Sequence, residues 1–286
     1  MKVDIEALRK HIGKTIEEHD LATAGPLGGM IVTFDRDEPL PKDGDIVQPG
    51  WHLAYFPQMS RKATLGANGL PTSSGLLPKM PFPRRMYAGA GLKFPGDIRV
   101  GDKLRRETEL TDISLRSGGT GDLIFVTQTR RVFTPRGLAV IEEAHTVFRQ
   151  EVAAGQGGAP PKREMPPAGL PWLRTIETDP VSLFRYSALT FNPHRIHYDR
   201  GYATGVEGYP GLVVHGPYSQ QCLLDFARDH MPGRRMMAFS QRARAPLFDT
   251  APFSLAGRPT PDRKGTELWA LTPEGTVAMQ ATATFA

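Results

Sequence analysis

Polar and apolar positions alternate most plainly at the end of the chain. Val277, Met279, Ala281, Ala283 and Phe285 take every second place, with Thr276, Ala278, Gln280, Thr282 and Thr284 between them. Period two predicts a strand with one buried face. It follows the turn Thr272-Pro273-Glu274-Gly275, and the first half of the chain holds a similar one, Thr134-Pro135-Arg136-Gly137, between two strand-like runs. Proline presets φ at one corner and glycine permits a positive φ at another, so both read as hairpins. Ahead of each hairpin lies another pair of strand candidates, Leu92–Leu110 and Ala238–Leu255, which turn at 99–102 and at 246–249. Each half therefore ends as an antiparallel meander.

Helical spacing predicts three helices. Ile5, Leu8, Ile12 and Ile16 predict an amphipathic helix at the N-terminus, and Asp179–Leu189 a short one. Gly216–His230 reads as a longer, buried helix, with Pro217 in the first turn where a missing N–H costs nothing. A long helix followed by an antiparallel sheet is an α+β layer arrangement. Residues 151–171 hold little beyond Gly, Ala, Pro and charge, and neither period, which is linker composition. The expected division is 1–150, a linker at 151–171, and 172–286.

Composition adds exclusions. With 286 residues, 40% hydrophobic and 23% charged, the chain can bury substantial cores. No run approaches the roughly 20 apolar residues of a membrane helix. The first twenty residues lack the apolar core of a signal peptide, so no membrane and a cytoplasmic location are expected. One cysteine, Cys222, excludes an intramolecular disulfide framework and a cysteine metal cage. The net charge of +5 is scattered in short basic pairs with no nucleic-acid motif, which suits a phosphorylated small molecule as well as it suits nucleic acid. No nucleic-acid partner is expected.

Candidate chemistry concentrates in two segments. Phe184–Ala203 places Thr190, Asn192, His194, His197 and Asp199 in a loop after the short helix, and Pro210–Pro217 (PGLVVHGP) runs into the long one. Both segments resemble the MaoC-like, R-specific enoyl-CoA hydratase family of hot-dog proteins, whose motif Asp-x-Asn-Pro-Leu-His is followed by a Val-His-Gly turn. The variant Ala188–Asp199 (ALTFNPHRIHYD) is similar to a narrower branch. That branch holds fungal mitochondrial 3-hydroxyacyl dehydratases and bacterial mesaconyl-CoA and itaconyl-CoA hydratases. Pro81–Gly89 (PFPRRMYAG) fits the diverged N-terminal half of that branch.

The resemblance implies a double hot-dog fold, with a central helix wrapped by antiparallel sheet in each unit. It implies hydration of an enoyl-CoA, most closely itaconyl-CoA or mesaconyl-CoA, with dehydration of 3-hydroxyacyl thioesters of fatty acid synthesis as the alternative. Such hydration needs a base for water attacking Cβ, an acid for Cα, and donors for charge growing on the thioester oxygen. Histidine suits the proton steps at neutral pH, and N–H groups at a helix N-terminus suit the oxygen. By resemblance His197 is the principal acid/base, Asn192 and Thr190 position water, and Gly216 is the oxyanion donor. Thr190 stands where the common family has aspartate, and the Asn-to-His spacing is two residues longer. Either His197 makes both proton transfers, or His194 or Asp199 takes one.

Arg84 and Arg85 are candidates for a second acyl carboxylate or a coenzyme A phosphate, and His215 and Tyr218 for further substrate contacts. No cofactor is expected. A metal on His194, His197 and Asp199 is the rival reading, and a non-catalytic acyl-CoA binding protein another. A homodimer suits the fold.

Overall fold

The computed structural model describes residues 3–72, 75–118, 121–150 and 163–286. Its elements are α1 (Ile5–Arg9), β1 (Thr15–Leu21), α2 (Ala24–Thr33), β2 (Arg84–Lys93), β3 (Lys103–Gly118), β4 (Gly121–Thr134), β5 (Gly137–Arg149), β6 (Trp172–Ile176), α3 (Pro180–Leu189), α4 (Arg200–Gly205), α5 (Gly216–His230), β7 (Met236–Ala243), β8 (Phe253–Pro259), β9 (Gly265–Leu271) and β10 (Val277–Phe285). The two Thr-Pro-x-Gly hairpins are present, with Gly137 and Gly275 at φ 114° and 78°.

The strands form one antiparallel sheet in the order β1-β3-β4-β5-β2-β7-β10-β9-β8-β6. From the middle outward the two halves repeat: β2, β5, β4, β3, β1 on one side and β7, β10, β9, β8, β6 on the other. This is the double hot-dog arrangement, with the two sheets continuous through β2 and β7. Gly89 makes that seam possible. A Cβ there would stand 2.4 Å from Gln241 O, and its φ of 151° is one that side chains rarely adopt.

One long helix, α5, packs against β7–β10, and ten successive residues, Tyr218–Ala227, are buried. Leu223 and Phe226 are fully buried, each stabilising the fold by about 2 kcal/mol. The buried polar residues of α5 are hydrogen-bonded: Gln221 to Pro49 O and Asp225, Asp225 to Arg228, and Gln220 to Tyr87.

The N-terminal unit departs from the expected central helix. Among the described residues of 34–83 the helical structure is two 3-10 turns, Trp51–Ala54 and Lys62–Thr64. Eight prolines in that stretch remove the donors a helix needs. Val47, Trp51, Tyr55 and Phe56 fill the core from loop positions instead.

The N-terminal helix is also shorter than its apolar spacing predicts. It ends at Arg9, a turn through Gly13 at φ 86° follows, and Ile16 pairs with Thr108 as part of β1. Of the expected linker, 151–162 lies outside the described residues, and 163–171 carries neither helix nor strand.

Candidate active site

Three segments meet at the start of α5, and the first comes off α3. Asp179 caps α3 by accepting from Ser182 N (2.6 Å), and Ser182 Oγ accepts from Asp179 N in return. At the far end Thr190 donates its hydroxyl to Tyr186 O (2.7 Å), Phe191 takes a left-handed φ of 50°, and Asn192 Oδ1 accepts from His194 N (3.0 Å). These turns lead into a 3-10 turn, Arg195–His197. Arg195 fixes it, gripping Asp199 Oδ2 with Nε and Nη2 (3.0 and 2.7 Å) and donating its N–H to Asn68 O and Nη1 to Ala67 O. This loop is thus clamped to the N-terminal half.

His197 Nδ1 lies 2.7 Å from Val213 O. A carbonyl only accepts, so Nδ1 carries the hydrogen and Nε2 keeps a lone pair. Nε2 has no hydrogen-bond partner among the described residues, and 7% of the residue remains exposed. Burial pushes the imidazole down to about 3, against the raising effect of the Val213 bond, so it is neutral at pH 7.

Behind His197, the His215 ring is stacked 3.7 Å away at 18°. His215 is fully buried, bonds Ser187 Oγ through Nε2 (2.8 Å), and is held well below the ordinary histidine value by burial. In front, His194 stands edge-on to His197 at 5.4 Å, its ring nitrogens without partners among the described residues. Burial and then the charge of Arg85 lower it to about 4.

Gly216 opens α5 directly after His215. Its N–H lies outside the helical ladder, at the positive end of the dipole. A Cβ at 216 would stand 2.2 Å from the Tyr87 ring, so only glycine fits. Tyr87, from β2, donates its hydroxyl to Gln220 Oε1 (2.8 Å) and accepts from Gln241 Nε2.

The structure brings His197, His194 and Gly216 together. The Thr190 hydroxyl donates its hydrogen to Tyr186 O and Asn192 Oδ1 accepts from His194 N, so toward water Thr190 can only accept, while Asn192 keeps its amide N–H groups to donate. Asp199 caps α4 through Tyr202 N and pairs with Arg195, so the proton-carrier role is not open to it. Nor do His194, His197 and Asp199 form a metal cluster, and no such cluster occurs among the described residues. His215 supports His197 from behind without an exposed face of its own. Tyr218 lies buried against Phe34 and Tyr186 and presents nothing to a ligand.

Arg84 is tied to Glu207 through the backbone oxygen (3.1 Å) and the carboxylate (3.4 Å), whereas Arg85 has no partner among the described residues. A cavity of about 330 Å³ touching His52, Arg228 and Arg235 opens at the other end of α5. Twelve helical residues, about 18 Å, separate Arg228 from Gly216, so it is no part of this site.

Sequence reading missed Ser187, Tyr87, Gln220, Gln241 and the Val213 carbonyl. Gln220 and Gln241 carried a signal: polar residues inside otherwise buried elements.

Residues 50–249 match the model of hydroxyacyl-thioester dehydratase type 2. The chain belongs to that family. It is 44% identical over 271 residues to the mesaconyl-C(4)-CoA hydratase of Chloroflexus aurantiacus, covering 95% of each chain. It is 28% identical over 269 residues to the mitochondrial hydroxyacyl-thioester dehydratase type 2 of Schizosaccharomyces pombe, covering 82% of this chain and 87% of that one. A MaoC-like dehydratase structure superposes with a TM-score of 0.71 at 14% identity, covering 97% and 99%. The family member described here is therefore a hydratase/dehydratase, a lyase of acyl thioesters, on a double hot-dog fold. No helix among its described residues is long and apolar enough to cross a membrane.

Proposed function

We propose that this chain hydrates the double bond of a dicarboxylic enoyl-CoA, of the mesaconyl-CoA or itaconyl-CoA kind. The observation that carries the reaction is His197, its Nδ1–H fixed on Val213 O and its Nε2 lone pair free, next to the open N-terminus of α5. Water loses a proton to His197 Nε2 as its oxygen bonds Cβ. The π electrons move to the thioester oxygen, which accepts from Gly216 N–H. A proton from the imidazolium then goes to Cα, directly or through His194, and the carbonyl re-forms.

Neutral His197 is a base before attack, and the proton it gains is held weakly in so buried a place, so it passes readily to Cα. Similarity to the Chloroflexus hydratase supports the dicarboxylic acyl group. The family model and the yeast relative support a second reading, dehydration of 3-hydroxyacyl thioesters by the same steps in reverse.

Kinetics with mesaconyl-, itaconyl-, crotonyl- and 3-hydroxyacyl thioesters test the reading. His197→Ala should lower kcat at least about 100-fold on any substrate of this site. A variant with near-normal turnover would end the assignment of the base, and a wild-type preference for crotonyl-CoA over both dicarboxylic thioesters would end that of the substrate.

A further inference from the structure

The inner face of the N-terminal sheet is not uniformly apolar. On β4 the residues sharing this face are Ile124, Val126, Gln128, Arg130 and Val132, directly opposite Phe148, Thr146, Ala144, Glu142 and Val140 of β5. Ile124, Val126 and Phe148 belong to one apolar cluster and Val132 and Val140 to another. A charged band separates them, centred on the Arg130–Glu142 pair (3.0 Å). It crosses the face where the C-terminal unit has its long helix and this unit has loop.

Arg85 lies on β2 opposite Phe148, at the apolar rung beyond that band, with its side chain near enough to Arg130 to feel its charge. On β2 it is two residues from Tyr87, about 7 Å along the same face, and Tyr87 covers Gly216. Arg85 is accessible, yet burial and then Arg130 lower its affinity for a proton. Arg85 also lies near enough to His194 to depress it. The charges of the band are otherwise matched: Arg130 with Glu142, Arg106 with Glu18. Arg85 has no anion among the described residues.

We propose that Arg85 is the specificity-determining residue of this site, receiving the second carboxylate of the acyl chain beside the reacting carbons. This rests on the dicarboxylic reading above. A methylfumaryl thioester joined through the carboxyl remote from its methyl branch carries the second carboxylate on the carbon that water attacks, so its receptor has to stand next to the proton-transfer histidines. Arg85 does. A guanidinium binds a carboxylate through two parallel hydrogen bonds, and its neighbour Arg130, already paired, keeps that charge from relaxing toward the sheet. The carboxylate would also repel the incoming oxygen, so its neutralisation acts on kcat as well as on KM.

The test is Arg85→Met in the full-length protein, with kcat and KM measured for mesaconyl-CoA, itaconyl-CoA and crotonyl-CoA. The ratio of kcat/KM for the better dicarboxylic substrate to that for crotonyl-CoA should fall about 30-fold, which is about 2 kcal/mol. Arg85→Lys, which keeps the charge without the planar fork, should recover part of the ratio, and it replaces Arg85→Met if that variant does not fold. An equal loss on all three thioesters, mainly in KM, would assign Arg85 to coenzyme A and overturn the proposal. So would an unchanged ratio. A wild-type enzyme that prefers crotonyl-CoA is a different failure, that of the dicarboxylic reading, and is visible before any variant is made.

Discussion

Gly216→Ala probes the junction of the two halves through a single methyl group. The new Cβ would stand 2.2 Å from Tyr87 Cδ1 and within 2.9 Å of two more ring carbons, where ordinary contact begins near 3.4 Å. The ring must retreat by about 1 Å, and its hydroxyl is held by Gln220 and Gln241, both buried. Overpacking costs about 1–3 kcal/mol, and leaving the two amides without their partner about 1–3 more. Alanine's advantage over glycine in a helix offsets at most about 1 kcal/mol. A net loss of about 2–4 kcal/mol is expected, read as a lower urea midpoint at pH 7. The displaced N–H should also lower kcat about 10- to 100-fold. Adding Tyr87→Ala removes the ring, so the double variant should be at least about 1 kcal/mol more stable than the sum of the two single changes. A Gly216→Ala protein with the wild-type midpoint, or strict additivity with Tyr87→Ala, would refute the reasoning.

Thr190→Val should change kcat less than about 3-fold, because the hydroxyl's one hydrogen is committed to Tyr186 O and cannot be donated to water; a loss above about 30-fold would assign Thr190 to water positioning through its lone pairs. Asn192→Ala should cost about 1 kcal/mol of stability through the lost turn bond to His194 N, with kcat falling about 10-fold, and a kcat loss without any change in melting would place its amide on the substrate. Acid should destabilise the fold. Burial holds His52 at about 4, His197 at about 3 and His215 far down, whereas an unfolded chain protonates each below about 6.5. The unfolded state then binds more protons, so each costs about 2 kcal/mol at pH 5, while Asp225, raised by burial to about 6, returns about 1. Urea midpoints that do not fall between pH 7 and pH 5 would contradict this.

What the sequence reveals is what local rules control. The bounds of α5 are readable because Pro217 and the spacing of Cys222, Leu223 and Phe226 act over one or two turns. The hairpins are readable because proline and glycine set their corners. Ile16 misleads, since Ile12 and Ile16 keep helical spacing across Gly13, and only pairing with β3 shows that the chain has already become a strand. Residues 34–83 have no period to read, because their core residues enter from loops. In the site, His194, His197 and Gly216 are legible as a motif. The stacking of His215 under His197 is not, being a contact between segments 18 residues apart. Arg84 and Arg85 look interchangeable in the sequence. The parity of β2 separates them, sending one to Glu207 and the other to the inner face.

The seam between β2 and β7 lies within a single polypeptide, and that changes what substitution can do. Were the two repeats separate copies of one gene product, every exchange would occur twice, and a side chain useful on one side would have to be tolerable on the other. Joined in one chain, they are released from that constraint. The segment after α3 carries two histidines within eight residues of the helix, whereas the segment after α2 has none before His52. On the proposed reading one repeat carries the proton chemistry, and the other, in place of a long helix, lines its inner face with arginine, glutamate and tyrosine. On that reading, adapting to a new acyl group means rewriting the half that does not carry the histidines.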